Sequence, residues 1–223
     1  MSDPSLTPLE QRVRQLVTQA LQQSNPTGWF ESLYAEAQGD TTQIPWAKLA
    51  PYPYLQDWLS DYLPLEHSKS AIVIGCGLGD DAEALADSGF QVTAFDISPT
   101  AIAWCRQRFP QSQVDYHVAD LFHLDESWHQ DFDLVFECRN IQALPLSLRS
   151  EAIAAVANLV APEGYLLVVT HFRTDEAEPD GPPWPLSNLE LAQFTQLGLQ
   201  EIDRQILASR HPSVQVVGVV YQR

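Results

Sequence analysis

Three glycines and a later carboxylate have the spacing of a nucleotide-type cofactor site. Gly75, Gly77 and Gly79 come directly after the apolar run 71–74, and Asp96 closes a second apolar segment. A turn without side chains lets a ligand touch the backbone, where the N–H groups of a following helix can donate to it. A carboxylate roughly 20 residues beyond the glycines is placed to accept hydrogen bonds from the two hydroxyls of a ribose. The alternative interpretation is a tight strand-to-helix turn that holds no ligand.

The glycine spacing helps to separate the two cofactor classes that use this arrangement, the nicotinamide or flavin dinucleotides and S-adenosylmethionine (SAM). A dinucleotide fingerprint reads Gly-x-Gly-x-x-Gly. Here Asp80 occupies the position of the third glycine and Asp81 follows it, so two carboxylates would repel a pyrophosphate. SAM has no phosphate and carries an ammonium and a sulfonium, so the same acids favour SAM.

The segments around this motif predict an α/β fold with a doubly wound, mostly parallel, seven-stranded Rossmann-like sheet. Apolar runs alternate with helical spacing in the middle of the chain, and the last two strands suit an antiparallel pair at one sheet edge. The predicted strands are 71–74, 91–95, 114–118, 132–136, 165–170, 199–207 and 214–221. The predicted helices between and after them are 81–86, 100–109, 146–159 and 189–194.

The N-terminal part of the chain predicts an added helical cover. Apolar residues recur at helical intervals over 9–21, with Thr7 placed as a cap, and again over 29–37. We expect one domain, with the cover at 1–66 and the Rossmann-like core at 67–223.

Composition limits the partners that we expect. The 223 residues include 12 Lys and Arg against 29 Asp and Glu, which gives a net charge of −17. This balance opposes nucleic acid and acidic membrane surfaces as partners. We expect a small-molecule partner, and a monomer or homodimer. Three scattered cysteines indicate neither a metal site nor a disulfide framework. With no signal-peptide pattern and no apolar stretch of membrane-spanning length, we expect a cytoplasmic protein.

Taken together, these motifs resemble a class I SAM-dependent methyltransferase, and more narrowly the thiopurine S-methyltransferase family, which includes thiol and halide methyltransferases. The turn GCGLGDD is similar to that family's glycine turn, and Val73 stands where most class I enzymes have an acid. The segments GWFESLYAEA and Pro45-Trp46 resemble the family's N-terminal cover. Downstream, FDLVFE, QALPLSLR and GPPWPLS are similar to its fourth strand, next helix start and substrate-side loop. The chain departs from the thiol and halide enzymes at Glu137-Cys138-Arg139-Asn140.

The resemblance implies a set of cofactor contacts. The glycine turn would hold the methionine part of SAM, with Asp81 contributing negative charge toward its ammonium. Asp96 would hold the ribose and Ile97 would flank the adenine. Asp120, followed by Leu121, would accept from the adenine amino group, the alternative being a turn or capping acid.

Further residues would complete the cofactor site. Glu137 would point into the cleft toward the sulfonium, the alternative being a surface acid at a strand end. Trp29, Tyr34 and Trp46 would cover the cofactor, where an aromatic face gains roughly 0.5 to 2 kcal/mol from a nearby cation. The alternative for these three aromatic side chains is plain core packing.

The acceptor half of the site is expected around the ends of two later strands. Glu137, Arg139 and His171 are the catalytic candidates, Asn140 would face the acceptor with Arg139, and Phe172 and Trp184 would supply apolar walls. The long acidic, proline-rich loop 171–187 suits a lid, or else an ordinary surface connection.

The reaction that the resemblance implies is in-line displacement at the methyl carbon, which depends on positioning and on excluding water. No convincing acid–base pair stands out besides Glu137 and His171, so a thiol, halide or other soft nucleophile is the expected acceptor. A non-catalytic SAM-binding protein and a dinucleotide-dependent oxidoreductase remain the alternatives.

Overall fold

A computed structural model describes residues 7–62, 69–179, 181–209 and 214–223 of the chain. The predicted boundary between cover and core, at 66/67, lies outside the described residues. The helices are α1 (Pro8–Gln22), α2 (Gly28–Ala37), α3 (Pro53–Tyr62), α4 (Asp80–Asp87), α5 (Pro99–Arg108), α6 (Arg149–Ala157) and α7 (Asn188–Gln196). The strands are β1 (Ser70–Ile74), β2 (Gln91–Asp96), β3 (Asp115–Val118), β4 (Phe132–Cys138), β5 (Val160–Phe172), β6 (Gln200–Leu207) and β7 (Gln215–Gln222).

The seven strands form one sheet in the order β3-β2-β1-β4-β5-β7-β6. The first five are parallel, whereas β7 runs antiparallel to both β5 and β6. This confirms the predicted fold class and the antiparallel pair at one edge. Chain order reverses at β1, which has β2 on one side and β4 on the other. A crevice therefore opens at the carboxyl end of β1, where open α/β sheets bind their ligands.

The sheet is buried on both faces, which explains the nearly uninterrupted apolar runs of its central strands. One face carries α3, α4 and α5, whose Leu55, Leu85 and Ile102 enter a first core. The other face carries α6 and α7, whose Ile153 and Phe194 enter a second core. Successive residues of each strand alternate between the two cores, so the strand register decides which side chains can reach the crevice.

Three elements, α3, β5 and α6, differ from the sequence prediction. Helix α3 was not predicted, because its aromatic residues obscured the helical spacing of Leu55, Trp58 and Leu59, all of which are buried. Strand β5 begins at Val160, five residues before its predicted start, and α6 ends earlier, at Ala157.

The N-terminal cover packs as a third cluster on the core. Helix α1 begins with the capping box of Thr7 and Glu10, and Arg12 forms a bidentate ion pair with Glu36 of α2. In the ranges that the structure describes, no helix is long and apolar enough to cross a membrane.

Candidate active site

A cleft lies at the carboxyl ends of β1 and β2, beside the strand-order reversal. Its wall contains six residues that the sequence singled out for the site, namely Gly75, Asp96, Ile97, Asp120, Leu121 and Asn140. It also contains seven others: Thr27, Phe30, Ile74, Phe95, Ala119, Phe122 and Leu144.

The glycine turn is held in a shape that only residues without a side chain adopt easily. Gly75 and Gly77 have φ values of +55° and +57°. A Cβ at Gly75 would overlap the side chain of Asn140, and one at Gly77 would lie 3.2 Å from the Tyr34 hydroxyl. Gly79 instead packs against Tyr116 and away from the cleft wall. The turn is therefore enclosed by side chains from distant parts of the chain.

Asp96 lies at the point where the turn meets β2. Its Oδ2 accepts from the amide of Gly77 at 3.0 Å and its Oδ1 from the amide of Ser98 at 2.9 Å. Burial raises its pKa to about 6 despite these hydrogen bonds. A buried carboxylate that still faces the cleft is suited to bind hydroxyl groups, so its predicted contact with a ribose remains consistent with its position.

The far end of the cleft is a mostly apolar slot with one acid. Phe95, Ile97, Leu121 and Phe122 line it. Asp120 caps the short turn that follows β3, since its Oδ1 accepts from the amide of Phe122 at 3.0 Å. The capping role and the predicted contact with an adenine are compatible, because each carboxylate oxygen accepts more than one hydrogen bond.

The N-terminal cover closes the cleft with Phe30 rather than with Trp29. Trp29 is buried beneath Phe30, the two rings stacked at 4.0 Å. Tyr34 is also buried, and its hydroxyl accepts from the indole nitrogen of Trp46 at 2.7 Å. Tyr34 and Trp46 thus lie over Gly77, while Trp29 is core. Thr27 and Phe30 were not predicted from the sequence. Phe30 is adjacent to Trp29, but the sequence does not show which face of α2 points toward the cleft.

Glu31 fastens the cover to the core, a contact that the sequence did not reveal. Its carboxylate accepts from the hydroxyl of Ser98 at 2.6 Å and from the hydroxyl and amide of Thr100 at 2.7 and 3.1 Å. Burial raises the pKa of Glu31, but these hydrogen bonds outweigh it and leave the pKa below its usual range. The Glu31 carboxylate therefore binds at the N-terminus of α5, where the helix dipole stabilises a negative charge.

Asp80 and Asp81, the two acids after the glycine turn, do not line the cleft. Their predicted repulsion of a pyrophosphate is therefore weaker than the sequence suggested. Asp80 forms an ion pair with Arg108 of α5 at 2.7 Å. Asp81 is partly buried and accepts from the amide of Tyr52 at 2.6 Å, and desolvation raises its pKa to about 6. Neither residue belongs to the cleft wall, and the attraction between Asp81 and an ammonium stays a prediction.

Glu137 is fully buried and does not belong to the cleft wall, so its approach to a sulfonium stays a prediction. It shares a strand face with Val135, which is in the second core. Its Oε1 accepts from the amides of Asn140 and Ile141 at 2.6 and 2.9 Å. Burial raises its pKa to about 7, and these amides and Arg149 oppose that rise. Oε1 of Glu137 therefore orders the chain after β4, whereas its buried Oε2 has no hydrogen-bond partner among the described residues.

Arg139 and Asn140 take different directions from the end of β4. Arg139 has a φ of +67°, and its guanidinium donates to the Tyr52 hydroxyl at 3.1 Å. Asn140 lies in the cleft wall and donates to the carbonyl of Ile74 at 2.7 Å. Asn140 thus lines the cleft, whereas Arg139 lies on the side of α3, and a contact of either residue with the acceptor stays a prediction.

His171, Phe172 and Trp184 do not belong to the cleft wall. The amide of His171 donates to the side chain of Gln142 at 2.5 Å. Phe172 packs against the second core. Trp184 packs against the cluster of the N-terminal cover, and its amide donates to the carbonyl of Gln142 at 2.7 Å. Gln142 therefore joins both ends of the loop 171–187, of which residue 180 lies outside the described ranges. In the described residues no group of three or more His, Cys, Asp or Glu could hold a metal ion.

Comparison with protein families gives one match over most of the chain. A family model described as thiopurine S-methyltransferase matches residues 36–221. A thiopurine S-methyltransferase from Vibrio atlanticus (strain LGP32) is 23% identical over 170 residues, which are 69% of this chain and 76% of that protein. A ubiquinone biosynthesis O-methyltransferase from Xylella fastidiosa (strain 9a5c) is 32% identical over 124 residues, 55% of this chain and 49% of that protein. The chain spans about half the length of the O-methyltransferases that it matches.

Solved structures share the fold at low sequence identity. A Burkholderia thailandensis 1,6-didemethyltoxoflavin-N1-methyltransferase with bound S-adenosylhomocysteine has a TM-score of 0.67 and 17% identity, covering 100% of this chain and 93% of that one. The N-methyltransferase NodS from Bradyrhizobium japonicum WM9, also with S-adenosylhomocysteine, has a TM-score of 0.65 and 20% identity, covering 86% and 97%. These neighbours establish the Rossmann-like methyltransferase fold.

Proposed function

Because the chain belongs to the thiopurine S-methyltransferase family, we propose that it is a SAM-dependent methyltransferase that acts on a small-molecule acceptor. One observation carries this proposal. The described residues that line the cleft include two acids, Asp96 and Asp120, and no lysine or arginine. Such a wall suits an uncharged adenosine attached to a cationic sulfonium and gives no counter-charge to a phosphate.

The donor set of the cleft fits SAM. The buried Asp96 would hold the ribose, Ile97 and Leu121 would flank the adenine, and Asp120 would accept from its amino group. The turn at Gly75 and Gly77, roofed by side chains of the cover, would receive the methionine part. Trp46 and Phe30 would exclude water from this end of the cleft.

When bound, SAM supplies an activated methyl group on a sulfonium, which is itself a good leaving group. The protein then needs to orient the acceptor, keep its nucleophilic atom at about 3 Å from the methyl carbon and exclude water. Asn140, Leu144 and Phe30 are the wall residues placed to do this. The chain would thereby act by positioning rather than by covalent catalysis.

We propose a thiol or another soft nucleophile as the acceptor. An oxygen acceptor needs a base, and the two sequence candidates for one, Glu137 and His171, both lie outside the cleft wall. Arg139 lies beside Tyr52 on the side of α3, and we propose that it contacts the acceptor from that side. The name of the Xylella relative makes oxygen methylation the competing outcome. We further propose that the protein works in the cytoplasm, as a single domain and without nucleic acid.

Two measurements test this function. Isothermal titration of SAM and of NAD(H) should show binding of SAM alone, and binding of NAD(H) instead would overturn the proposal. Release of S-adenosylhomocysteine should then be followed with thiophenol, iodide and a catechol as acceptors. Release with thiophenol supports the proposed acceptor class, and release with the catechol alone would assign the enzyme to oxygen methylation. SAM binding without release from any acceptor would indicate a non-catalytic binding protein.

A further inference from the structure

Helix α5 holds two consecutive carbonyls of the glycine turn. The Sγ of Cys105 donates to the carbonyl of Gly77 at 3.2 Å, and Nη1 of Arg108 donates to the carbonyl of Leu78. Cys105 and Arg108 are three residues apart, so they lie on one face of α5. Cys105 is fully buried, and its sulfur would lie 3.2 Å from a Cβ at Gly79. Side chains of α5 therefore fix the backbone of the turn in two adjacent peptide units.

Arg108 is itself held in place by the first acid after the turn. Its Nη1 and Nη2 donate to Oδ2 and Oδ1 of Asp80 at 2.9 and 2.7 Å. A planar guanidinium can bind a carboxylate through two hydrogen bonds and still donate to a carbonyl. The side chains of Arg108 and Asp80 are 25% and 16% exposed, so solvent competes with this pair only in part. Asp80 therefore orients the guanidinium that holds the turn, a role that its place in the sequence did not reveal.

The direction of the two carbonyls determines the direction of the amides that follow them. In a trans peptide, the C=O of one residue and the N–H of the next point in opposite directions. Because Gly77 turns its carbonyl toward α5, the amide of Leu78 points away from α5, and no described backbone group accepts from it. The amide of Gly77 itself donates to Asp96 of the cleft wall at 3.0 Å. The contacts from α5 thus orient the donors of the turn, one of which already binds a residue of the cleft.

We propose that Arg108, oriented by Asp80, is a positioning residue that holds the glycine turn in the shape that binds the amino-acid part of SAM. This inference rests on the proposed methyltransferase function, which assigns the methionine part of SAM to the turn. Arg108 does not line the cleft, so it acts through the backbone of Leu78 and not by contact with the ligand. A lysine would keep the positive charge but cannot reproduce the planar fork that binds Asp80 and the carbonyl together.

The test separates the amino-acid part of the cofactor from its adenosine part. S-adenosylhomocysteine and 5′-methylthioadenosine share the adenosine and the thioether sulfur, but only the first carries an amino-acid group. By isothermal titration, Arg108→Lys should weaken binding of S-adenosylhomocysteine about tenfold, the order of one hydrogen bond to a charged group. The same variant should change binding of 5′-methylthioadenosine by less than about twofold. Equal losses for the two ligands, or no loss for either, would overturn the proposal, because a general loss of structure weakens both.

Arg106→Lys is the matched control. Arg106 lies on the same helix and also donates to a backbone carbonyl, that of Tyr116 at 2.5 Å, but this carbonyl belongs to β3 and not to the turn. The control should leave the affinities for both ligands within about twofold of the wild type. If Arg106→Lys changes the ratio of the two affinities as strongly as Arg108→Lys does, the effect belongs to α5 as a whole and the proposal is wrong.

A double-mutant cycle tests whether Asp80 acts through Arg108. Asp80→Asn keeps the size of the side chain but removes its charge, so it should also weaken binding of S-adenosylhomocysteine, and by less than Arg108→Lys does. With both substitutions combined, the loss should stay within about twofold of that in Arg108→Lys alone, because no guanidinium remains for Asp80 to orient. Losses that multiply in full would show that the two residues act independently and would contradict the proposal.

Hydrogen exchange measures the turn itself, without a ligand. The amides of residues 76–80 should exchange faster in Arg108→Lys and at the wild-type rate in Arg106→Lys, and unchanged exchange in Arg108→Lys would overturn the proposal. If the wild type binds neither adenosine compound, the proposed function fails, and exchange still shows whether Arg108 positions the turn.

Discussion

The two halves of the site are held together by different forces. The cofactor half, formed by the ends of β1, β2 and β3, depends on backbone hydrogen bonds to a few acids such as Asp96. The proposed acceptor half, residues 137–144 and the described part of 171–187, packs beside charges that meet from three elements, where Arg149 pairs with Glu190 and lies near the buried Glu137. We therefore expect substitutions near the acids of the cofactor half to change stability little. Removing one charge from the acceptor half should destabilise the other charges that it contacts.

The largest effect is expected from removing a charge in the acceptor half. Arg149→Met leaves Glu190 and Glu137 buried with less counter-charge, and breaking a buried pair in this way costs about 3–5 kcal/mol. Urea denaturation should show this loss of the free energy of unfolding. Arg12→Met removes an exposed ion pair and should cost at most about 1 kcal/mol. Equal losses in the two variants would erase the distinction between the halves.

In the cofactor half the expected effect is on binding. Asp96→Ala removes a charged acceptor and should weaken SAM binding by about 1–3 kcal/mol, as measured by calorimetry. Asp115→Ala is the control, because that side chain is 73% exposed at the sheet edge. If SAM binds Asp96→Ala with wild-type affinity, Asp96 does not belong to the cofactor site.

Both halves contribute to the dependence of stability on pH. Burial raises the pKa of Asp96 and Asp81 to about 6 and that of Glu137 to about 7. A carboxyl group with a raised folded-state pKa stabilises the fold below its unfolded pKa, near 4, and this contribution disappears as the pH rises through the folded pKa.

The ligand-free protein should therefore melt at a higher temperature at pH 5 than at pH 7.5. A loss of about 1 kcal/mol corresponds to about 2–4 °C for a chain of this size. Scanning calorimetry of the wild type and of Asp81→Asn checks this, since the variant should show a smaller difference. A melting temperature that rises toward pH 7.5 would mean that other groups dominate.

The smallest effect on the cofactor half is expected from Arg139→Ala. The guanidinium contacts Tyr52 outside the cleft wall, so SAM affinity should stay within about twofold while the KM for the acceptor changes. Calorimetry and acceptor titration measure the two quantities separately. A large drop in SAM affinity would show that Arg139 belongs to the cofactor half and that the division of the site is drawn in the wrong place.

The cofactor half could be predicted from the sequence because its determinants are local. The glycines and Asp96 belong to one β-α-β unit, so their spacing alone places them together. Phe30 escaped prediction because a helix of unknown rotation can present either of two neighbouring aromatic residues. The confirmed fold class, a doubly wound and mostly parallel sheet of seven strands, followed in the same way from the alternation of strands and helices.

The acceptor half could not be predicted to the same extent. The direction of Glu137 depends on which sheet face carries α6, and the alternation of β4 is equally consistent with either choice. Asp80 pairs with Arg108 only after α5 has packed. Arg149 and Arg173 both pair with Glu190, and these three residues come from different parts of the chain. Such contacts have no signature in the local sequence.

Ser98 links the cleft to the beginning of the chain. The amide of Ser98 donates to Asp96 and its hydroxyl donates to Glu31. Asp96 in the cleft wall and Glu31 of α2 are therefore both hydrogen-bonded to the same residue. Helix α2, and α1 that packs against it, are thus connected to the cleft wall through Ser98. A truncated protein that starts after Ala37 would lose Phe30 and the cap of α5 at the same time, and should fold with a pocket too open to retain its cofactor.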